Sequence, residues 1–404
     1  MKLPIYLVFL SAIATAQPLP ALVEEALRNN REILAAQKKY EAARQRPVQA
    51  SSLPSPTVSL GYTANGAPYP VAGIGHDVTS NAGVMISQEM PFPGKQKLRG
   101  EIAAKAADGE FQEYLTVRLA VVSRLKQAYH ELHHANASIT FTRRYQELLQ
   151  SILRVAEARY STGKAAQQDI FKAQTQFSIF QAQLLRNQQE QRSKQIEINA
   201  LLNRPLEGAI EVPADMAPGE MPATLDEMLA HARTAPMLAR EQKNIERSEL
   251  AANLARRQVY PDYTVSGGYF NQGAMPPMFQ FRIDVKLPPR NRGAAVSEQE
   301  FAASEARHNY EAASVEIQAR IRDDYSAAET ARQLVEIYEK SVIPEAKLAL
   351  ESSLAAYQSG SLDFLAVYSN FMNVVDNELM YHEETMQFHV ALARLEEMTG
   401  EIGQ

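Results

Sequence analysis

The chain has 404 residues, a formal net charge of −6, and neither tryptophan nor cysteine. Its mild acidity, with no run rich in lysine and arginine, argues against a nucleic-acid partner. The lack of cysteine excludes a disulfide framework, a thiolate metal site and a lipidated N-terminal cysteine. The abundance of Ala, Gln, Glu, Leu and Arg favours long helices over compact α/β layers.

The N-terminus has the layout of a secretory signal peptide over residues 1–16. Lys2 precedes the apolar run 5–10, and Ala14-Thr15-Ala16 forms an A-x-A cleavage site. An ordinary apolar N-terminal helix is the alternative. No later run of about 18 apolar residues follows, so we expect an exported protein without a transmembrane helix.

The first half, residues 17–204, is predicted to contain a helix, two strands and a long helical hairpin. Apolar residues at three-to-four spacing predict the helix over 22–46, which Pro47 ends. Alternating residues predict strands over 56–63 and 81–90. A proline-free coiled-coil seam then predicts a helical hairpin over 95–203.

Residues 205–223 form a proline-rich linker, and the same plan returns over residues 224–404. A helix is predicted first, then strands over 262–270 and 278–287, with a loop over Asn271–Pro277 between them. A second helical hairpin is predicted over 293–400. Pro344 lies inside its first helix, so we expect a kink or local break there.

The strand over 278–287 separates its side chains by polarity. The odd positions are apolar: Phe279, Phe281, Ile283, Val285 and Leu287. The even positions are polar: Gln280, Arg282, Asp284 and Lys286. Because successive side chains point to opposite faces, a membrane strand would turn the apolar set to lipid and the polar set to a wet lumen. A soluble strand with its apolar face on a core has the same pattern.

Four strands cannot close a membrane barrel, and an open sheet edge cannot lie in lipid. If these strands span a membrane, several chains must share one barrel, and the long helices would continue from it as a tube. The predicted fold class is then an α+β membrane protein with a two-fold internal repeat. The alternative is a soluble periplasmic coiled-coil scaffold with small hairpins packed on helices.

The chain resembles the TolC-type outer-membrane efflux family over essentially its whole mature length. The resemblance rests on the paired helix openings Glu25-Ala26-Leu27 and Glu227-Met228-Leu229, the joint at 88–95, and the turns at Gly163 and Gly360. It implies a homotrimer in outer-membrane lipid, with four strands per chain in a shared twelve-stranded β-barrel. A long α-helical coiled-coil barrel would continue this barrel into the periplasm of a Gram-negative-type envelope.

The resemblance also implies a function in transport. Family members are passive exit ducts of tripartite systems, with a periplasmic adaptor protein and an inner-membrane pump as partners. The joint Pro91-Phe92-Pro93-Gly94-Lys95 looks most like the heavy-metal efflux branch. Metal ions and drugs are therefore candidate substrates, and a type I protein-secretion duct is the alternative.

In this family the helical turns face the periplasm and form a closable entrance. Asp169 falls on a position that resembles the acidic entrance residues, while the matching position of the second half is Ala366. Asp363 is a candidate for a nearby charge. Carboxylates from three chains would favour cations. Stabilisation of a helix N-terminus is an equal alternative for Asp169.

Four further residues of the turns are candidates from the resemblance. Tyr357 resembles a gate tyrosine, but Tyr160 has the same spacing from its glycine, and packing at the constriction is an alternative for both. Gly163 and Gly360 are expected to adopt positive φ and to contact the adaptor.

We predict no catalytic site, no cofactor and no metal site. His130 shares a helix face with His133 or His134, but no third ligand is visible nearby. Met275 and Met278 are better explained as part of an irregular loop tip than as soft-metal ligands. No nucleophile–base spacing, phosphate loop or carboxylate pair argues for an enzyme.

Overall fold

The computed structural model describes residues 18–64, 73–213, 218–287 and 291–400. The signal peptide predicted over 1–16 lies outside the described residues. The described residues form ten α-helices, one π-helical segment and one four-stranded sheet, and in each half of the chain helices precede two strands, which long helices follow. Within them, no helix is both long and apolar enough to span a membrane.

The first half contains five helices and two strands. They are α1 Leu19–Asn29, α2 Arg31–Ala43, α3 Arg46–Ser51, β1 Thr57–Thr63, β2 Asn81–Met90, α4 Lys95–Ser161 and α5 Gln167–Leu202. Most of the range 22–46 is helical as predicted, but Asn30 divides it into α1 and α2. The Asn30 Oδ1 accepts hydrogen bonds from the backbone N–H groups of Glu32 (2.9 Å) and Ile33 (3.1 Å), which caps α2. Pro47 lies in the first turn of α3 rather than ending a helix, since the first turn needs no N–H there.

The second half also has helices, then two strands, then long helices, but its helices are interrupted at different places. Its elements are α6 Leu225–Ala232, α7 Pro236–Arg257, β3 Asp262–Gln272, β4 Met275–Lys286, α8 Arg292–Ile337, a π-helical segment Tyr338–Val342, α9 Ile343–Ser359 and α10 Phe364–Thr399. The local break expected at Pro344 is confirmed. Pro344 has no N–H to donate to the helical ladder. The wider π-helical turn just before it accommodates the missing hydrogen bond, so the helix continues into α9.

The four strands form one antiparallel sheet in the order β1-β2-β3-β4. The β2–β3 pair joins the two halves of the chain, and the Oγ atoms of Ser87 and Ser266 lie 2.9 Å apart across it. The register places most of the apolar residues of the four strands on one face. This apolar face comprises Val58, Leu60, Tyr62, Val84, Ile86, Tyr263, Val265, Tyr269, Phe279, Phe281, Ile283 and Val285.

The loop predicted over Asn271–Pro277 is wrong, because β3 and β4 form a tight hairpin. Gln272 pairs with Met275, and Gly273 between them has a φ of 73°, which favours glycine. Pro276 and Pro277 lie inside β4, which is an edge strand of the sheet and therefore tolerates residues without an N–H. Met275 and Met278 are strand residues, not a loop tip.

One aromatic side chain, Phe270, lies on the opposite face of the sheet, which carries most of the polar residues. Phe270 covers three glycines on neighbouring positions, and a Cβ atom at Gly83 would lie 2.4 Å from its ring. A Cβ atom at Gly268 would lie 2.7 Å from the same ring. Gly61 lies beneath it as well, at 3.9 Å. The glycines therefore make the space in which this ring packs.

The chain divides into two compact units. Unit 1 comprises Met1–Ala35, Leu115–Ala235 and Val315–Gln404; unit 2 comprises Ala36–Tyr114 and Pro236–Ser314. Unit 2 contains the whole sheet. Unit 1 contains both helical turns and a hydrophobic cluster beneath them, whose largest fully buried members are Tyr357, Phe371 and Leu149.

In unit 2 a buried ion pair fixes the joint between sheet and helix. Lys95 is 3% exposed, and its Nζ donates to the Asp262 Oδ1 (2.7 Å) and to the Tyr260 carbonyl oxygen (2.7 Å). The Phe92 N–H donates to the same Oδ1 at 2.7 Å, and the Phe92 ring stacks on Tyr260 at 4.5 Å. The motif at 91–95 thus has a structural role, since each of these contacts ties the start of α4 to the start of β3.

Candidate functional site

Each helical hairpin of unit 1 ends in a turn closed by glycine. Gly163 has a φ of 71° and Gly360 a φ of 89°, which confirms the positive φ expected at both. The N–H of Gly163 donates to the Tyr160 carbonyl oxygen (2.9 Å), and that of Gly360 donates to the Tyr357 carbonyl oxygen (3.1 Å). Both glycines therefore satisfy the last carbonyls of a helix, as a residue in the left-handed region does.

The two tyrosines before these glycines have different environments. Tyr160 is 44% exposed, whereas Tyr357 is 2% exposed and packs edge-on against Phe364, with the ring centroids 6.2 Å apart. The equal spacing in sequence thus conceals two different roles. Tyr357 belongs to the core of the turns, and Tyr160 lies at the surface of unit 1.

Arg159 links the first turn to the second. Its guanidinium lies 4.6 Å from the centroid of the Tyr357 ring, and its Nη1 donates to the Tyr357 carbonyl oxygen. Its Nη2 donates to the Lys164 carbonyl oxygen at 3.4 Å. The sequence did not point to this residue, because the contact joins positions 198 residues apart.

Electrostatics around Tyr357 come from both turns. Burial raises the pKa of the Tyr357 hydroxyl, the Arg159 cation opposes that shift, and the Asp169 carboxylate adds to it. The Tyr357 hydroxyl is buried and has no hydrogen-bond partner among the described residues. Asp169, Arg159 and Tyr357 therefore influence one another within a single chain.

Asp169 and Asp363 each stabilise the start of a helix. The Asp169 Oδ2 accepts a hydrogen bond from the Ala166 N–H at 3.3 Å, in the first turn of α5. The Asp363 Oδ1 accepts one from the Ala366 N–H at 2.9 Å and caps α10. Both contacts are those expected of a carboxylate that stabilises the N-terminus of a helix, the alternative role considered for Asp169. An entrance role for either carboxylate remains a prediction.

Below the turns, a buried carboxylate lies beside the π-helical segment. Glu378 is 6% exposed and accepts a hydrogen bond from the Tyr145 hydroxyl at 2.7 Å. Lys347, in the first turns of α9, forms an ion pair with its other oxygen. Burial raises the pKa of Tyr145, and the hydrogen bond to Glu378 raises it further. The network ties α4, α9 and α10 together.

The imidazole rings around His130 pack against neighbouring side chains in the interior of unit 1. His130 is 8% exposed and stacks in parallel on His389, with the ring centroids 4.3 Å apart. Burial lowers the pKa of His130 to about 3, helped by the nearby His389, His133 and Lys126. His133 is also buried, and His134 is partly buried. In the described part of the chain, no group of three or more His, Cys, Asp or Glu residues could hold a metal ion.

The sheet of unit 2 exposes the side chains that the sequence assigns to lipid. Phe279 is 78% exposed, Phe281 71%, and Leu60 of the same apolar face 85%. Ile283 and Val285 are also exposed on β4, while Leu287 lies just beyond the end of the strand. On the polar face, Arg282 and Asp284 form an ion pair at 3.0 Å. The remaining polar residues, Gln280 and Lys286, are exposed as well.

Comparison with known sequences points to outer-membrane efflux. The family model for the outer membrane efflux protein matches residues 22–204. The pyoverdine export outer membrane protein OpmQ of Pseudomonas putida is 23% identical, over 95% of this chain and 84% of its own length. The probable outer membrane lipoprotein SilC of Salmonella typhimurium is 22% identical, over 86% of this chain and 77% of its own length.

Solved structures share the fold. A crystal structure of CusC has a TM-score of 0.80 and 17% identity, covering 97% of this chain and 96% of that one. The outer membrane protein VceC of Vibrio cholerae has a TM-score of 0.81 and 18% identity, covering 95% and 96%. Both have the arrangement described above, mostly helical with a small sheet. Residues 22–204 thus match the outer membrane efflux protein family, and the relatives and solved structures to which the chain is similar are outer-membrane proteins.

Proposed function

We propose that three copies of the chain form one exit duct through the outer membrane, with their sheets joined edge to edge in a twelve-stranded barrel. One observation carries the proposal: the sheet exposes an apolar face across all four strands, and β1 and β4 have no outer partner strand among the described residues. Lipid would cover the apolar face. Neighbouring copies would satisfy the two open edges, which cannot lie unpaired in a bilayer.

In this arrangement Phe279, Phe281, Ile283 and Val285 face lipid, and Gln280, Arg282, Asp284 and Lys286 face the water-filled lumen. Small substrates, metal ions or drugs, would pass by diffusion. An inner-membrane pump and a periplasmic adaptor would supply the energy and the seal. The kinship with OpmQ, whose name records pyoverdine export, supports a small cargo.

The helical turns of unit 1 would form the periplasmic entrance. Opening would require the second turn to move away from the first, and the contact of Arg159 with Tyr357 would have to break. Asp169 and Asp363 would contribute negative charge near the opening, which favours cations. Reversing the charge with Asp169→Lys should lower cation selectivity in planar-bilayer recordings. Unchanged selectivity would remove Asp169 from the entrance.

Site-directed labels test the barrel directly, because the chain has no native cysteine. The variants Phe281→Cys and Arg282→Cys place a polarity-sensitive probe on adjacent residues of β4. We expect the first probe to report lipid and the second to report water, in protein reconstituted as a heat-sensitive oligomer. If both report the same aqueous environment, or the protein extracts without detergent, the proposed duct is wrong.

A further inference from the structure

The Phe270 ring lies flat on the sheet, on the face that carries most of the polar residues. Its Cδ1 atom is 2.4 Å from the position that a Cβ atom of Gly83 would take, and Cε2, at the opposite corner of the ring, is 2.7 Å from that of Gly268. Cε1 is 3.9 Å from the corresponding position at Gly61. Side chains of strands normally stand roughly perpendicular to the sheet. Because opposite corners of this ring lie at the height of Cβ atoms, the ring lies along the sheet instead, in a glycine recess formed by these three residues.

The glycine recess lies near the end of the sheet that is remote from the start of α4. Asp262, the first residue of β3, forms its ion pair with Lys95, the first residue of α4. Phe270 lies towards the other end of β3, close to the hairpin in which Gln272 pairs with Met275. In the proposed duct the long helices extend into the periplasm. This end of the sheet is then the outer end of the lumen.

We propose that Phe270 is a specificity-determining residue of the duct: its ring, held flat in the glycine recess, sets the width of the outer end of the lumen. The inference rests on the proposed function, which makes this face of the sheet the lumen wall and repeats the ring three times around one barrel. Three flat rings leave the lumen wide at this level. Three upright rings would narrow it from all sides.

The chemical class affected is bulky organic cargo rather than single ions. A small ion passes a lumen of this kind whether the rings are flat or upright, whereas a molecule that nearly fills the lumen passes only when they are flat. Phe270 is partly buried. Packing on the glycines removes one side of the ring from water, and the hydrophobic effect therefore favours the flat, open arrangement.

Two neighbouring glycines of β3 provide a test variant and its matched control. A Cβ atom in Gly268→Ala would lie 2.7 Å from the Phe270 ring, well inside the contact distance of about 3.5–4.0 Å between carbon atoms, so the ring has to leave the recess. Gly267→Ala introduces the same methyl group on the apolar face, where nothing lies within 4 Å. Gly83→Ala is unsuitable, because its Cβ atom would lie 2.2 Å from the Tyr269 carbonyl oxygen and would displace the backbone.

The width is measured by the size dependence of thiol labelling inside the lumen. Arg282→Cys supplies the only thiol of the chain and lies on the same face as Phe270, farther from the outer end. A small charged methanethiosulfonate and a maleimide carrying a bulky polyethylene glycol are added outside intact cells, and the initial rates are compared. We expect Gly268→Ala to slow the bulky reagent severalfold and to leave the small one unchanged. Gly267→Ala should change neither rate.

Removal of the ring should cancel the effect of the added methyl group. In the double variant Gly268→Ala/Phe270→Ala, the bulky reagent should react as fast as in the parent. Phe270→Ala alone should also match the parent, since a flat ring does not obstruct the lumen. Equal rates for the bulky reagent in Gly268→Ala and Gly267→Ala overturn the proposal. So does a double variant that stays slow, because the sheet rather than the ring would then have changed, and so does a severalfold faster rate in Phe270→Ala.

Failure of the proposed duct is recognised separately. Labelling of the parent Arg282→Cys protein by the small reagent reports that this face lines a lumen open to the outside. A parent that is labelled, but whose rates do not depend on Gly268 and Phe270, refutes only the role of the ring. A parent that the small reagent never labels refutes the duct, and with it the position of Phe270 in a lumen.

Discussion

Replacing Asp262 by alanine should destabilise unit 2, because it leaves the Lys95 ammonium buried without its carboxylate. Lys95 is 3% exposed, and after the substitution only the Tyr260 carbonyl oxygen would remain as its partner. Removing one member of a buried ion pair costs about 3–5 kcal/mol of unfolding free energy. Denaturant unfolding of the protein in detergent, followed by circular dichroism, measures the loss.

An exposed ion pair of the same unit provides the matched control. Glu249 and Arg307 lie 2.6 Å apart with side chains 47% and 59% exposed, so Glu249→Ala should cost about 1 kcal/mol at most. The double variant Lys95→Met/Asp262→Leu should recover most of the stability, since an apolar pair can replace a buried ion pair. If Asp262→Ala costs no more than Glu249→Ala, the buried charge does not hold the joint. If the double variant is as unstable as Asp262→Ala, the lost contact with the Phe92 N–H is the cause.

Two further predictions concern buried ionisable groups of unit 1. His130 has its pKa lowered to about 3 and so stays neutral in the folded protein, while the unfolded chain gains a proton below about pH 6.5. Stability should therefore be full above that pH and fall by about 2 kcal/mol between pH 7 and pH 5. His130→Asn should lessen this fall in stability, measured by thermal unfolding at both pH values. His308→Asn, at an exposed position, is the control and should leave the fall unchanged. An equal fall in the two variants would contradict the assignment to His130. Lys347→Met leaves Glu378 with one partner and should lower the free energy of unfolding by about 2 kcal/mol, measured by denaturant unfolding. Lys340→Met, which removes an exposed ion pair, is the control and should have no measurable effect. Equal losses of stability in the two variants would refute the role of the Glu378 network.

The helical part of the fold was predictable because its signals are local. The apolar seam and the absence of proline predicted a helical hairpin over 95–203, and α4 begins at Lys95 while α5 ends at Leu202. Pro344 correctly predicted the interruption of the second long helix. By contrast, Pro276 and Pro277 suggested a loop, and only the position of β4 at the sheet edge explains why they fit a strand.

The candidate site was less predictable, since it depends on contacts between distant segments. The sequence identified both glycines of the turns, whose backbone role is local. It did not separate Tyr160 from Tyr357, because both stand three residues before a glycine and differ only in what packs against them. No local sequence pattern marked Arg159 as a contact residue, since its partner Tyr357 lies 198 positions away in the chain. Long-range packing, rather than residue type, decides these roles.

The turns of the two halves contribute unequally to the contact between them. The first turn supplies the guanidinium of Arg159, and the second supplies the ring and carbonyl oxygen of Tyr357 that receive it. A separation of the turns must therefore break a hydrogen bond and a cation–π contact together.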